Sequence, residues 1–261
     1  MKKYELTAEF IEKWGKKLFR IKALISFGSV EAGELGGYVE KEDNLAQDGD
    51  AWVCDDAWVY GNARVYDDAW VYGDARVYGN AEVYGDARVY GNARVYDDAW
   101  VYGDARVYGN ARVYGDARVC DDAWVYGNAE VYGDARVYGN ARVCDDAWVY
   151  GNARVYGNAR VYGNAWVCDD AWVYGNADYL LIGRIGSRFS FTTFFKNKDK
   201  GITVSCGCFL GTIAEFRAKV TDTHGNNKHA KMYNLAADMA ELQILGEEHF
   251  DKLNTNKSEP F

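Results

Sequence analysis

Two cysteines and two histidines near the end of the chain have the side-chain types that bind zinc. The pair Cys206-Gly-Cys208 precedes His224 and His229, and thiolate and imidazole groups are the common ligands of protein-bound zinc. The spacing between these residues is not that of a standard zinc finger. The alternative places both thiols on one face of a strand and both histidines on the surface at a helix junction. These four residues are the candidate metal ligands, while no metal or cofactor is predicted to be required.

Six Asp-Asp pairs are a second candidate for chemistry, because paired carboxylates can serve as general acid and base. Each pair precedes the residues Ala-Trp-Val-Tyr, but the intervals between successive pairs are uneven. What the pairs can do therefore depends on the element that holds them. They are Asp55-Asp56, Asp67-Asp68, Asp97-Asp98, Asp121-Asp122, Asp145-Asp146 and Asp169-Asp170.

The element that holds these pairs is a repeat of six residues. Ala stands at every sixth position from Ala51 to Ala171, which makes 21 uninterrupted hexads over residues 51–176. The third place is always Val, and the fourth is Tyr 17 times and Cys four times. This alternation predicts a short strand with Ala and Val on its buried face, and the Gly, Asn or Asp pair that follows predicts a corner. Because one hexad cannot bury its Val alone, the strands must coil and stack.

The hexads resemble those of the left-handed β-helix family, whose signature is an aliphatic residue with a small residue four places later. Residues 59–64, Val-Tyr-Gly-Asn-Ala-Arg, fit that signature. The resemblance implies three hexads per coil. We therefore predict a mainly β fold, with a left-handed parallel β-helix of about seven coils over residues 51–177. A β cap is predicted in residues 1–50 and a small α+β module (ββαα) in residues 178–261.

Three hexads per coil also decide what the Asp-Asp pairs can do. Successive pairs lie two, five, four, four and four hexads apart, so no two of them occupy adjacent coils at one corner. This spacing argues against a site that needs several matched coils.

The flanking regions carry their own predictions. Strands are expected at 17–25 and 37–41 in the cap, and at 179–182, 189–195 and 202–209 in the module. Thr212-Ile-Ala-Glu215 is a capping box that starts a first helix. A second helix is expected over about 228–245, with its Met and Leu residues on one face. They are Met232, Leu235, Met239 and Leu242.

A second resemblance covers nearly the whole chain. The segment LGGYVEKEDNL (35–45), the AxVYGN hexads and the closing FTTFF, GITVSCGCFLGTIAEF and His residues look like a family encoded in phages and prophages of Gram-positive gut bacteria. Members of that family are often labelled as acyltransferases or polymer-forming proteins. The resemblance implies no established activity.

Acyl transfer is the activity for which left-handed β-helices are best known, and it is the alternative to a non-enzymatic role. In that family the catalytic base is usually a His, and a loop extruded from a coil helps to form the acceptor site. Residues 51–176 contain no His, Lys, Ser or Thr, and no hexad is interrupted. We therefore predict a non-enzymatic structural or protein-binding module, with inhibition of a host protein as one such role. DNA mimicry by the Asp-rich corners is a further alternative, which the eleven Arg of the repeat oppose.

The outward positions of the hexads carry 17 Tyr, eight Trp and eleven Arg, which predicts either ladders that only hold the helix together or an interaction surface. Stacking of every third hexad also predicts one acidic column, which would bind a divalent ion or a basic partner unless its charges are simply solvated. The Trp candidates are Trp58, Trp70, Trp100, Trp124, Trp148 and Trp172. The column is Asp68, Asp86, Asp104 and Asp122.

Charge and composition restrict the partners further. The net charge is −9, from 30 basic and 39 acidic residues, which argues against a nucleic-acid binder driven by phosphate neutralisation. No apolar run approaches the ~20 residues of a membrane span, and the N-terminus lacks the apolar core of a signal peptide. Six Cys fit a reducing compartment. The expected protein is cytoplasmic and binds a protein partner or itself, as a homo-oligomer.

Overall fold

Three strands at the N-terminus close one end of the molecule. The computed structural model describes residues 1–248. β1 (Tyr4–Lys13) and β2 (Lys16–Ala23) form an antiparallel hairpin, and β3 (Leu35–Val39) pairs antiparallel with β2. β2 and β3 overlap the two predicted strands of the cap, whereas β1 was not predicted.

Every hexad contributes one strand to a parallel β-helix. The 21 two-residue strands β4 to β24 follow one another at six-residue intervals, beginning with β4 (Trp52–Val53) and β5 (Trp58–Val59) and ending with β24 (Trp172–Val173). Strands three hexads apart pair in parallel and in register, so that each Val lies beside the Val of the next coil. The result is three faces that share one core.

The β-helix begins earlier than the repeat. β3 pairs in parallel with β5, and Leu45 forms a parallel bridge with Val65. The longest sheet therefore contains eight parallel strands, from β3 to β23. The predicted fold class is confirmed, but the helix has about eight coils instead of seven, because residues without the hexad signature build the first coil.

The core of the β-helix consists of the Ala and Val of each hexad. Every one of these side chains is at most 1 % exposed, as the alternation predicted. Burying a Val fully stabilises a fold by roughly 1.5–3 kcal/mol before chain entropy is subtracted. Burial of the Ala and Val side chains of residues 51–176 therefore stabilises the coils.

The Asp-Asp pairs are corner residues. The first Asp of each pair has a positive φ of 52–60°, in the place that Gly takes in most other hexads. In four of the six pairs its carboxylate accepts a hydrogen bond from the Gly N–H one coil further on, as Asp55 does from Gly73 at 3.0 Å and Asp145 does from Gly163 at 3.1 Å. Asp thus tolerates the left-handed conformation and also joins two coils, which gives the pairs a structural role.

The N-terminal hairpin buries the first tryptophan of the repeat. Trp52 is 0 % exposed and packs edge-on against Tyr4 and Phe27. The ammonium group of Lys3 donates hydrogen bonds to three backbone carbonyls beside it, those of Asp48, Gly49 and Ala51. The expectation that all eight Trp point outward is therefore wrong for Trp52, because the cap covers this end of the helix.

The C-terminal module is a four-stranded antiparallel sheet followed by two helices. The strands are β25 (Tyr179–Ile185), β26 (Ser190–Lys196), β27 (Ile202–Cys206) and β28 (Phe209–Thr212), and the helices are α1 (Ile213–His224) and α2 (Lys228–Leu245). The predicted capping box is present, since Thr212 N–H donates to Glu215 at 2.8 Å and Glu215 N–H donates to Thr212 at 3.3 Å.

The module also closes the second end of the β-helix. Tyr179 and Phe195 are buried in the same core as the repeat Val residues. The Trp166 N–H donates to Thr193 Oγ1 at 3.1 Å, and Ala171 forms a bridge with Asn197. A separate core lies between the sheet and the helices.

Helix α2 packs on the module through small residues. Its buried side includes Ala230, Ala237 and Ala240, which let the helix approach the sheet and α1 closely. The opposite side carries the Met and Leu residues that the sequence places on one face, and they are 39–63 % exposed. Four long apolar side chains of α2 therefore point to solvent, whereas Tyr233 and Ile244 are buried.

Candidate functional site

Stacked tyrosines follow each face of the β-helix. Because strands one coil apart are in register, Tyr lies over Tyr, with ring centroids 4.8–5.1 Å apart and ring planes within 7° of parallel. Such cross-strand pairs stabilise a sheet. The longest ladder consists of Tyr60, Tyr78, Tyr96, Tyr114, Tyr132 and Tyr150.

The candidate tryptophans are divided among the three faces, two on each. Most of them contact arginines of neighbouring coils: the Arg118 guanidinium lies 4.6 Å from the Trp100 ring, and those of Arg106 and Arg142 lie 5.0 and 4.5 Å from the Trp124 ring. Each such cation–π contact stabilises by about 0.5–1 kcal/mol at an exposed site. The structure therefore does not gather the six Trp into one surface, and it occupies many of the outward Arg side chains within the molecule.

The predicted acidic column lies along one corner. Asp68, Asp86, Asp104 and Asp122 follow successive strands of one sheet and are all exposed. Asp68 accepts a hydrogen bond from the backbone N–H of Asp50 at 2.9 Å, one coil before it. Within residues 1–248 no group of three or more His, Cys, Asp or Glu side chains is arranged to hold a metal ion.

The cysteines of the repeat are packing residues. Burial raises the pKa of Cys54 to about 12 and that of Cys168 to about 11. A thiol with such a pKa is protonated at neutral pH, whereas the nucleophile and metal ligand is the thiolate. These positions therefore lack the reactivity that a catalytic cysteine needs.

The four candidate metal ligands lie in the C-terminal module but do not converge on one point. Cys206 ends β27 and accepts a hydrogen bond from Thr192 Oγ1 at 3.1 Å, whereas Cys208 lies in the two-residue turn before β28. The expectation that both thiols share one strand face is therefore wrong, because the hairpin turns between them. The rings of His224 and His229 are 5.9 Å apart.

A cavity of about 210 Å³ lies beside these residues, between the sheet and α1. Arg188, Lys219 and Tyr233 line it together with Cys206 and His224. Of these residues only Cys206 and His224 were candidates from the sequence, because Arg188 and Lys219 lie in a turn and on a helix with no motif in common.

Comparison with known families finds a match within the repeat. The family model described as the YdcK β-solenoid repeat matches residues 57–73, 69–85, 87–103, 105–121, 129–145, 135–151 and 153–169. The chain is a β-solenoid repeat protein. Its solenoid is thus similar to a known repeat both in sequence and in its parallel coils. A comparison with the curated proteins finds no match.

The helices of the described region are too short or too polar for a bilayer. None of those in residues 1–248 combines the length and the apolar character that a membrane span requires.

Proposed function

We propose that this β-solenoid is a non-enzymatic structural module that associates with a second copy of itself through α2 of its C-terminal module. The observation that carries this proposal is the exposed apolar face of that helix. Met232, Leu235, Met239 and Leu242, the α2 stripe, are 39, 63, 57 and 45 % exposed. Contiguous exposed apolar surface of this kind marks an interaction site.

The spacing of the α2 stripe fits a helical partner. Its residues lie three, four and three positions apart, which is the a/d pattern of a coiled-coil seam. The two faces of the helix thus make different contacts. Small Ala residues pack inside the module, whereas the long Met and Leu side chains of the stripe are exposed and would contact a partner.

The charges at the two ends of the stripe favour a second copy in the antiparallel direction. Lys228 and Lys231 lie in the first turn of α2, and Glu247 and Glu248 follow its end; all four are exposed. None of these four forms an ion pair within the described residues. In a two-fold pair the same patch meets itself, so antiparallel helices would place each lysine end against the partner's glutamate end.

The solenoid itself supports a role without catalysis. Its Asp pairs form corners, its buried thiols are protonated, and its uninterrupted hexads extrude no loop. It would act as a rigid rod that sets the distance between the N-terminal cap and the α2 stripe. The resemblance to phage- and prophage-encoded repeat proteins makes a host protein the alternative occupant of the stripe.

The oligomeric state of the full chain tests the proposal. Light scattering after size exclusion, at about 100 µM and below, should give a dimer for the wild type and a monomer for Leu235→Glu/Met239→Glu. Leu210→Glu, which changes an exposed residue of β28 in the same module, should leave the dimer intact. A monomeric wild type would contradict self-association, as would a dimer that all three proteins form equally.

A further inference from the structure

The residues that line the cavity of the C-terminal module include basic side chains but no acidic ones, although Lys219 pairs with Asp222 beside the cavity. Its charged or ionisable lining includes Arg188, Lys219 and His224, and no Asp or Glu lines it. This is unusual in a chain with a net charge of −9. Because concave sites lined by one sign of charge concentrate ligands of the opposite sign, the cavity is suited to an anion.

The guanidinium of Arg188 is available to a ligand. It donates a hydrogen bond to the weak acceptor Cys208 Sγ, at 3.9 Å, and it has no carboxylate partner within the described residues. By contrast, Arg217 on α1 binds both Asp238 and Glu241. An unpaired guanidinium presents the planar donors that bind carboxylate and phosphate in a bidentate manner.

Neutral residues complete the lining of the cavity. Hydroxyl groups of Ser190, Thr223 and Tyr233 line the cavity. Burial raises the pKa of Tyr233 to about 12, so its hydroxyl stays a hydrogen-bond donor at neutral pH. Phe216 and Val220 supply an apolar wall.

We propose that this cavity binds a small organic oxyanion, a phosphate monoester or a carboxylate that carries one compact apolar group. The oxyanion would contact Arg188 and His224, since Lys219 already pairs with Asp222 at 3.2 Å, and the apolar group would lie against Phe216 and Val220. The cavity volume of about 210 Å³ is below the ~300 Å³ at which ordinary ligand pockets begin, so the ligand has the size of a single ring. This site is independent of self-association through the α2 stripe.

Titration calorimetry on the full chain tests the site with two probes. Phenyl phosphate represents the phosphate monoesters and benzoate represents the carboxylates, so the two titrations show which kind of oxyanion binds. Saturable one-to-one binding of at least one probe is expected, and Arg188→Gln should weaken it at least tenfold. Arg184→Gln, which removes an equal charge from the same hairpin but outside the cavity, should bind as the wild type does. Inorganic phosphate should bind more weakly than phenyl phosphate, because it cannot use the apolar wall.

Three results would overturn the inference. One is the absence of saturable binding of either probe. Another is an equal loss of affinity in Arg188→Gln and Arg184→Gln, which would indicate only a general charge effect. The third is an unchanged affinity in Arg188→Gln. Melting temperatures of both variants should match that of the wild type, and Tyr233→Phe gives a second, independent change with an expected loss of severalfold in affinity.

Discussion

The solenoid and the C-terminal module use the same kinds of side chain in opposite ways. In the solenoid, Arg118 lies over Trp100, and the apolar Val residues are all inside. In the module, Arg188 has no carboxylate partner in the described region, and Leu235 is 63 % exposed. Because the coils of the repeat are uniform, its Arg and Val side chains pack against side chains of neighbouring coils. In the irregular module, by contrast, a charged group and an apolar side chain are left exposed to a ligand or partner. This difference supports the proposal that the module binds the partner and that the solenoid is its support.

Alkaline pH should have the largest effect, and it should act on the solenoid. Burial raises the pKa of Tyr60, Tyr96 and Tyr102 from 10.0 to about 12. A tyrosine whose pKa is higher in the folded state contributes its full stabilisation of the fold below pH 10. That stabilisation is lost as the pH rises towards 12, because the unfolded chain releases the tyrosine protons more readily. Circular dichroism should therefore show cooperative loss of strand signal in this range, together with tyrosinate absorbance.

One result would contradict the prediction of an alkaline transition. If tyrosinate absorbance appeared with a midpoint near pH 10 while the strand signal remained, the stacked rings would not be protected. The ladders would then be loose surface residues instead of part of the rod.

Removing one cation–π contact should have a smaller effect. Arg118→Gln loses the contact with the Trp100 ring at 4.6 Å and should lower the free energy of unfolding by about 0.5–1 kcal/mol. Arg94→Gln is the matched control, since Arg94 is exposed at the same place of another hexad and its cross-strand neighbours are Arg76 and Arg112. Chemical denaturation measures both, and equal losses would show that the Arg–Trp rows do not stabilise the solenoid.

Removing a whole coil of the solenoid should have the smallest effect, because it should hardly change dimerisation through the α2 stripe. Deleting residues 87–104 takes out three hexads, preserves Ala at every sixth position and leaves each face aligned with its former neighbour. In the shortened rod Glu82 would lie beside Arg118, a favourable pair. The dimer dissociation constant should stay within about twofold of that of the wild type; an insoluble product or a tenfold change would contradict the division between rod and module.

The repeat shows what one sequence can predict. Val107 and its equivalents follow a fixed period with one residue type, so strands, buried face and stacking follow from local rules. The left-handed conformation of the corners was also predictable, because the fifth place of every hexad is either Gly or Asp. The fold class of about half of the chain therefore needed no long-range information.

The remaining features depend on contacts between distant segments. Trp52 has an outward place in its hexad, but β1 and β2 cover it. Both sides of α2 are apolar, so the pattern could not tell that Ala237 packs inside while Leu235 faces solvent. The cavity brings Arg188 of a hairpin turn to Lys219 of α1, and no spacing rule connects those two positions. Whether the candidate Trp and Asp residues bind a partner stays a prediction.

The most direct test of the central claim exchanges the charges at the ends of α2. Lys228→Glu/Lys231→Glu makes both ends acidic, and Glu247→Lys/Glu248→Lys makes both ends basic, so each protein alone should dimerise more weakly than the wild type because like charges meet. Mixed in equal amounts, the two should form a one-to-one heterodimer in sedimentation equilibrium, at least as stable as the wild-type dimer. Two variants that dimerise as well alone as they do together would contradict antiparallel association through the α2 stripe.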